Sequence, residues 1–120
     1  MKIAIVEDDA DIRSLLSMTL TQKLRLPEPS LFENGTSLVR AMADDRLSFD
    51  VIIMDYRMPE MNGIEAAKII TRHRAGIKII LTTGYDVEDE ACKAGFKYLR
   101  KPFSIDALAG ALGQEKAGIS

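Results

Sequence analysis

Three carboxylates with clear chemical potential follow two short apolar runs in the sequence. Glu7 and Asp8 come directly after the run 3–6, and Asp55 comes directly after the run 51–54. Apolar runs of this length are typical of strands that are buried on both faces of a parallel sheet. The carboxyl ends of such strands share one edge of the sheet, so we expect the three acids to lie together. Clustered carboxylates repel each other, and a hard divalent cation, most suitably Mg²⁺, relieves the repulsion.

A hydroxyl and a lysine follow two further runs. Thr82 and Thr83 come after the run 77–81, and Lys101 comes after the alternating segment 96–100. A hydroxyl and a cation opposite a metal stabilise charge on a phosphoryl group during transfer, and an aspartate can accept that group. Each residue alone has an ordinary explanation as a helix cap, a turn residue or a solvated lysine. Their joint placement after four strands predicts a phosphoryl site.

The elements that must position these residues alternate along the chain as strands and helices. Alternation at this spacing implies a parallel sheet with right-handed crossovers and helices on both faces. In a sheet of order 2-1-3-4-5, the ends of strands one and three are adjacent. Prolines flank the second strand, which places it near an edge. Periodicity predicts strands over 3–6, 30–33, 51–54, 77–81 and 96–100, helices over about 10–23 and 87–94, and further helices that begin near 36, 63 and 104.

Local signals predict the caps and the buried faces of the helices. Thr36 or Ser37 is expected to cap the second helix, and Ser104 the last one. Apolar residues at helical spacing are expected to face the core. In the first and last helices these residues are Ile12, Leu15, Leu16, Met18 and Leu20, and then Ile105, Leu108, Ala111 and Leu112.

Composition narrows the class of protein. The chain has 120 residues, 47% of them apolar, and we expect a single domain over 1–120. A net charge of −2 gives no electrostatic reason to expect nucleic acid as a direct partner. No apolar run is long enough to span a membrane, and the N-terminus lacks the organisation of a signal peptide. The single cysteine, Cys92, excludes an intrachain disulfide. These features favour a cytoplasmic protein with no membrane partner.

The motifs at the strand ends resemble those of response-regulator receiver domains of two-component signalling, over nearly all of the chain. The resemblance implies a flavodoxin-like fold of five βα units, a three-layer α/β sandwich whose parallel sheet has the order 2-1-3-4-5. The residues that carry it are Ile5-Val6-Glu7-Asp8-Asp9, Met54-Asp55-Tyr56-Arg57-Met58-Pro59 with Asn62-Gly63, Leu81-Thr82-Thr83-Gly84, and Tyr98-Leu99-Arg100-Lys101-Pro102-Phe103.

The resemblance implies a metal site built around a phosphoacceptor. Asp55 matches the aspartate that accepts the phosphoryl group. Glu7 and Asp8 match the acidic pair that holds Mg²⁺ together with Asp55, and Mn²⁺ is expected to substitute. The backbone carbonyl of Arg57 is expected to supply a further metal ligand.

The resemblance also implies which residues respond to phosphorylation of Asp55. Thr83, rather than Thr82, matches the switch hydroxyl, because a glycine follows it as in the family. Lys101 matches the lysine beside the phosphoryl group, and its bond to Pro102 is expected to be cis. Tyr98 matches the aromatic residue that moves inward when the switch hydroxyl turns toward the phosphate.

The function implied is that of a signalling module and not of an enzyme. A histidine kinase or a histidine phosphotransfer protein would donate the phosphoryl group to Asp55. Output would pass to a separate effector protein or output domain. We expect a monomer, or a weak dimer that depends on phosphorylation.

Two departures from the family pattern stand out. The segment between Thr83 and Lys101 is shorter than relatives usually have, which predicts a shortened or irregular fourth helix between Asp86 and Gly95. Arg57 is an uncommon side chain beside the acceptor and could pair with Glu60 or Asp86.

Three alternative functions compete with the receiver interpretation. A haloacid-dehalogenase-like phosphohydrolase would also use an aspartate, a threonine, a lysine and Mg²⁺, but it needs a second aspartate where this chain has Arg57. A flavin mononucleotide binder would need a loop rich in Ser, Thr and Gly after strand one, where the acids would instead repel phosphate. A degenerate receiver would act by binding alone.

Overall fold

The five predicted strands form one parallel sheet. This computed structural model describes residues 1–84, 91 and 93–113, and its strands pair in the order β2-β1-β3-β4-β5. The predicted order, the parallel orientation and the place of β2 at an edge are therefore confirmed. The bounds are β1 Ile3–Val6, β2 Ser30–Phe32, β3 Val51–Asp55, β4 Lys78–Thr83 and β5 Lys97–Arg100.

Helices cover both faces of the sheet, which gives the predicted three-layer sandwich of flavodoxin-like type. Successive strand side chains point to opposite faces. Ile5 and Ile53 accordingly pack with the first and last helices, while Ala4 and Met54 pack with the second and third. The helix bounds are α1 Ala10–Met18, α2 Gly35–Ala41, α3 Gly63–His73 and α4 Ile105–Ala111.

The first predicted helix, 10–23, is continuous in extent but changes its winding. After α1, the segment Thr19–Lys23 forms a π-helical turn, in which the amide of Leu24 donates to the carbonyl of Thr19 at 3.1 Å. A hydrogen bond over five residues widens the helix at that point. Within the described residues, no helix is both long enough and apolar enough to cross a membrane.

The structure confirms the predicted cap of the last helix, identifies the cap of α3 and differs from the sequence at α2. Asn62 and Ser104 cap α3 and α4 by accepting hydrogen bonds from Glu65 and Ala107 amides. The predicted cap of α2, Thr36 or Ser37, is wrong. The cap is Asn34, because α2 begins at Gly35, before either of the two residues that were expected to cap it.

Three residues that were expected to face the core are exposed. Leu15 is 64% exposed, Met18 52% and Ile105 44%. In contrast, Leu16 and Leu108 are buried as predicted. The exposed residues arise because the apolar stripe of each helix is wider than the strip that contacts the sheet. Leu15 and Ile105 instead line an apolar groove of about 320 Å³ between α1 and α4, which reaches Lys101, Pro102 and Phe103.

The fourth strand is longer than the apolar run that predicts it. β4 continues through Thr82 and Thr83, which pair with β3 and β5, instead of ending at Leu81. The expected exit loop therefore begins later. The expected short helix over 87–94 lies mostly outside the described residues, although Ala91, Lys93 and Ala94 have helical backbone. Asp86 also lies outside them.

Candidate functional site

The acidic residues predicted from the sequence converge at the carboxyl edge of the sheet. β1 and β3 are neighbours, and their register pairs Val6 with Met54, so the residues that follow them are adjacent. Glu7, Asp8 and Asp55 offer carboxylate oxygens that all lie within 4.8 Å of one another. Glu7 and Asp55 are buried, whereas Asp8 is exposed. An all-oxygen set with one side open to solvent fits a hydrated Mg²⁺ ion.

Lys101 closes the other side of this cluster. Its Nζ lies 3.1 Å from Oε1 of Glu7 and 3.5 Å from Oδ1 of Asp55. The backbone fixes its position, because the Lys101 amide donates to the carbonyl of Thr83 at 2.7 Å. The bond from Lys101 to Pro102 is cis, as the resemblance to receiver domains implies. One cation therefore contacts two buried carboxylates.

Burial dominates the protonation of the site. It raises the pKa of Glu7 from 4.5 to about 7, against a hydrogen bond from the Asp9 amide that lowers it. Burial likewise raises the pKa of Asp55, which the charge of Lys101 lowers in part. Burial opposes the charge on Lys101, but the two carboxylates outweigh it and raise the pKa of that ammonium. The cluster holds an excess of negative charge that a bound cation would relieve.

Thr82 and Thr83 occupy the end of the neighbouring strand. Thr82 pairs with Asp55 in the sheet register, and both threonines are buried. Because strand side chains alternate, Thr83 lies on the same face as Leu81, which belongs to the core beneath α2 and α3. Tyr98 is half-buried and packs against that same core. The geometry thus puts the predicted pair, Thr83 and Tyr98, on one face of the sheet.

Two residues that support the site were not assigned this role from the sequence. A Cβ atom on Gly63 would lie 2.8 Å from the carbonyl oxygen of Asp55, so only glycine fits there. The Gly63 amide also donates to the carbonyl of Tyr56 at 2.7 Å. The Asn62–Gly63 pair was the available signal. Arg13 donates to the backbone carbonyl of Glu7 at 2.6 Å, and no sequence pattern indicates this contact.

The loop after β3 completes the surroundings of Asp55. The backbone amide of Arg57 donates a hydrogen bond to the Asp55 carboxylate, which lowers its pKa. Glu60, in the left-handed conformation with φ of 72°, accepts a hydrogen bond from the Thr36 hydroxyl at 3.0 Å. The loop is thereby attached to the start of α2. The role of the Arg57 carbonyl as a metal ligand stays a prediction.

Comparison with known families separates the receiver interpretation from two of the alternatives. The sequence model of the response regulator receiver domain matches residues 3–113. The chain belongs to this family. This membership supports the two-component receiver function over the phosphohydrolase and flavin-binding alternatives, and the acidic cluster of Glu7, Asp8 and Asp55 fits the phosphoacceptor site of such a domain.

Two curated relatives are regulatory proteins. The regulatory protein AtoC of Escherichia coli strain K12 is 39% identical over 111 residues, which are 89% of this chain and 23% of that protein. The DNA-binding transcriptional regulator NtrC of Proteus hauseri is 33% identical over 106 residues, which are 85% of this chain and 22% of that protein. The chain thus spans less than a quarter of the length of these relatives.

Solved structures agree with this assignment. The solution structure of the apo receiver domain of nitrogen regulatory protein C is 32% identical, with a TM-score of 0.77, over 93% of this chain and 90% of that one. The response regulator TrrA of Thermotoga maritima, solved in complex with Mg²⁺ and beryllofluoride, is also 32% identical. Its TM-score is 0.81, over 94% of this chain and 97% of that one.

Proposed function

We propose that Asp55 is the phosphoacceptor of this receiver domain. The observation that carries the proposal is the convergence of the three acidic residues with Lys101, whose Nζ contacts both Glu7 and Asp55. Asp55 is buried and directly follows the central strand, so its carboxylate is held at a fixed place. A fixed carboxylate next to a cation is suited to attack phosphorus in line with a leaving group.

The residues around Asp55 divide the remaining tasks in this proposal, and Asp55 itself also helps to hold the cation. Glu7, Asp8, Asp55 and the carbonyl of Arg57 would hold the cation, for which Mg²⁺ is the first candidate and Mn²⁺ a substitute. When bound, the ion neutralises charge on the phosphoryl oxygens. Lys101 then moves its ion pair from the carboxylates to a phosphoryl oxygen.

The same proposal includes a switch in which Thr83 donates its hydroxyl to another phosphoryl oxygen. Tyr98 packs against the same face of the sheet and would follow this movement into the core. Phosphorylation thereby shifts the population toward a second arrangement of this face.

The proposed context is a phosphorelay. The donor would be a histidine kinase or a histidine phosphotransfer protein, and the output would go to an effector protein or an output domain. Asp55 is consumed in each event and is regenerated by hydrolysis, so the chain is proposed to act as a signalling module and not as an enzyme. We further propose one receiver domain over 1–120, a cytoplasmic location, and a monomer or a weak dimer that depends on phosphorylation.

Beryllofluoride provides the direct test of the switch, because it mimics a phosphoryl group on an aspartate. With Mg²⁺, the amide NMR signals of Asp55, Thr83, Tyr98 and Lys101 should shift, and the Asp55→Asn variant should show no shift. In Thr83→Ala, the signals near Asp55 should still shift, while the signal of Tyr98 should not. Equal shifts at Tyr98 in both proteins would contradict the switch, and shifts that persist in Asp55→Asn would contradict the acceptor.

A further inference from the structure

A pair of lysines, Lys78 and Lys97, lies at the opposite end of the sheet from Asp55, where β4 and β5 begin. Lys78 and Lys97 are the first residues of these two neighbouring strands. The register pairs Lys97 with Ile80, and Lys78 precedes Ile80 by two residues. Both lysine side chains therefore lie on the face of the sheet that contains Ile80. Long side chains at such diagonal positions can reach each other.

The two ammonium groups meet at the end of α4. Nζ of Lys97 donates to the carbonyl of Ala111 at 3.4 Å. Nζ of Lys78 lies 3.4 Å from the place of a Cβ atom on Gly113, two residues further along. In the described part of the chain, no ion pair joins either lysine to a carboxylate. The pair is therefore a local concentration of positive charge on a chain whose net charge is −2.

The two lysines are not equivalent in this arrangement. The hydrogen bond to the Ala111 carbonyl holds the ammonium of Lys97 at the carboxyl end of α4. The neighbouring Lys97 and partial burial lower the pKa of Lys78. Lys78 is only partly buried and Lys97 is exposed, so reagents in solution can reach both. One lysine thus has the character of a nucleophile and the other that of an anion-binding cation.

We propose that Lys78 is an acylation site for acyl phosphates, with Lys97 binding the phosphate of the donor. The neutral amine of Lys78 attacks the carbonyl carbon, and a C–N bond forms. The C–O bond to the phosphate breaks, inorganic phosphate leaves, and the amine proton passes to solvent. The product is a neutral amide, so the reaction removes one charge from the lysine pair. Nothing in this step depends on Asp55, Mg²⁺ or the proposed phosphoryl transfer.

Acetyl phosphate is the probe that tests this proposal. The full chain is incubated with it in a metal chelator, which suppresses reaction at Asp55, and acetylation of each lysine is followed by peptide mass spectrometry. Lys78 should react several-fold faster than Lys23 and Lys68, which are exposed and serve as internal references. A rate at Lys78 no higher than at these two lysines would overturn the proposal.

Variants of Lys97 separate its charge from its packing. Lys97→Met removes the cation and should reduce the rate at Lys78 to that of Lys68. Lys97→Arg keeps a cation that cannot itself be acetylated, and it should retain the preference for Lys78. An unchanged rate at Lys78 in Lys97→Met would overturn the role of Lys97. Loss of the preference in a folded Lys97→Arg would overturn it as well.

A donor without phosphate tests the binding step on its own. N-hydroxysuccinimidyl acetate transfers the same acetyl group but carries no phosphate for Lys97 to bind. Lys78 should still be preferred over Lys68 with this ester, but by a smaller factor than with acetyl phosphate. Added inorganic phosphate should slow only the reaction with acetyl phosphate. Equal preference with the two donors would contradict the phosphate-binding role of Lys97.

Discussion

The charge on Glu7 should destabilise the metal-free protein at neutral and alkaline pH. Its carboxylate is buried and close to Asp55, and its pKa is raised from 4.5 to about 7. A raised pKa means that the folded protein binds this proton more tightly than the unfolded chain does. Binding of this proton to Glu7 therefore stabilises the folded protein. This stabilisation is complete below pH 4.5 and is lost as the pH rises through about 7.

The size of this effect follows from the pKa shift. The change from 4.5 to about 7 is worth about 3 kcal/mol, at about 1.4 kcal/mol per pKa unit. Glu7→Gln keeps the shape of the neutral side chain and removes the titration. The variant should therefore gain on the order of 1–3 kcal/mol in free energy of unfolding over the natural chain at about pH 8. Near pH 4.5 and below, the two proteins should be about equally stable.

Urea unfolding at a series of pH values, in the presence of a chelator, measures this difference. Glu33→Gln, at an exposed glutamate, is the matched control and should show no such trend. Mg²⁺ should restore stability to the natural chain but far less to Glu7→Gln, since the variant lacks one carboxylate of the cluster. A difference in stability that does not change with pH would refute the reasoning, as would a Glu7→Gln protein that is less stable at alkaline pH.

Two further substitutions test how the fold positions the site. Gly63→Ala should reduce the free energy of unfolding by about 2–4 kcal/mol in urea unfolding, because its Cβ would lie 2.8 Å from the Asp55 carbonyl. Gly110→Ala is the control, because a Cβ atom on Gly110 would have no other atom within 4 Å, and its free energy of unfolding should be unchanged or higher. Equal losses of free energy of unfolding in the two variants would contradict the steric explanation. Asn34→Ala should lose about 1 kcal/mol through the cap of α2. No loss for Asn34→Ala in the same assay would show that the hydrogen bond to the Ser37 amide does not stabilise the helix.

The framework of the site was predictable because it depends on buried strands. Continuous apolar runs at 3–6 and 51–54 are typical of strands between two layers of helices, and the acids follow them directly. Parallel pairing of β1 with β3 then brings Glu7, Asp8 and Asp55 together without further information. The position of Lys101 beside two of these acids follows in the same way from β5.

Other features depend on contacts that a single sequence does not display. The apolar run in the sequence ends at Leu81, but the backbone of β4 continues to pair with β5 through Thr83. Backbone hydrogen bonding in a sheet does not require apolar side chains. The cap at Asn34 competes with two other suitable residues, and only the path of the chain decides among them. The exposure of Leu15 depends on the rotation of α1 about its own axis, which decides which of its apolar residues contact the sheet. The bond from Arg13 to the Glu7 carbonyl depends on the same placement of α1.

Asp55 is proposed to accept a phosphoryl group in a site built by its acidic neighbours and Lys101. Incubation with acetyl phosphate and Mg²⁺, followed by intact-mass spectrometry and peptide mapping, tests it most directly. We expect one phosphoryl group per chain, located on Asp55, that requires Mg²⁺ and is absent from Asp55→Asn. Asp45→Asn, at an exposed aspartate outside the acidic cluster, should be phosphorylated normally. A phosphoryl group that persists in Asp55→Asn, or that forms equally well in a chelator, would contradict the account.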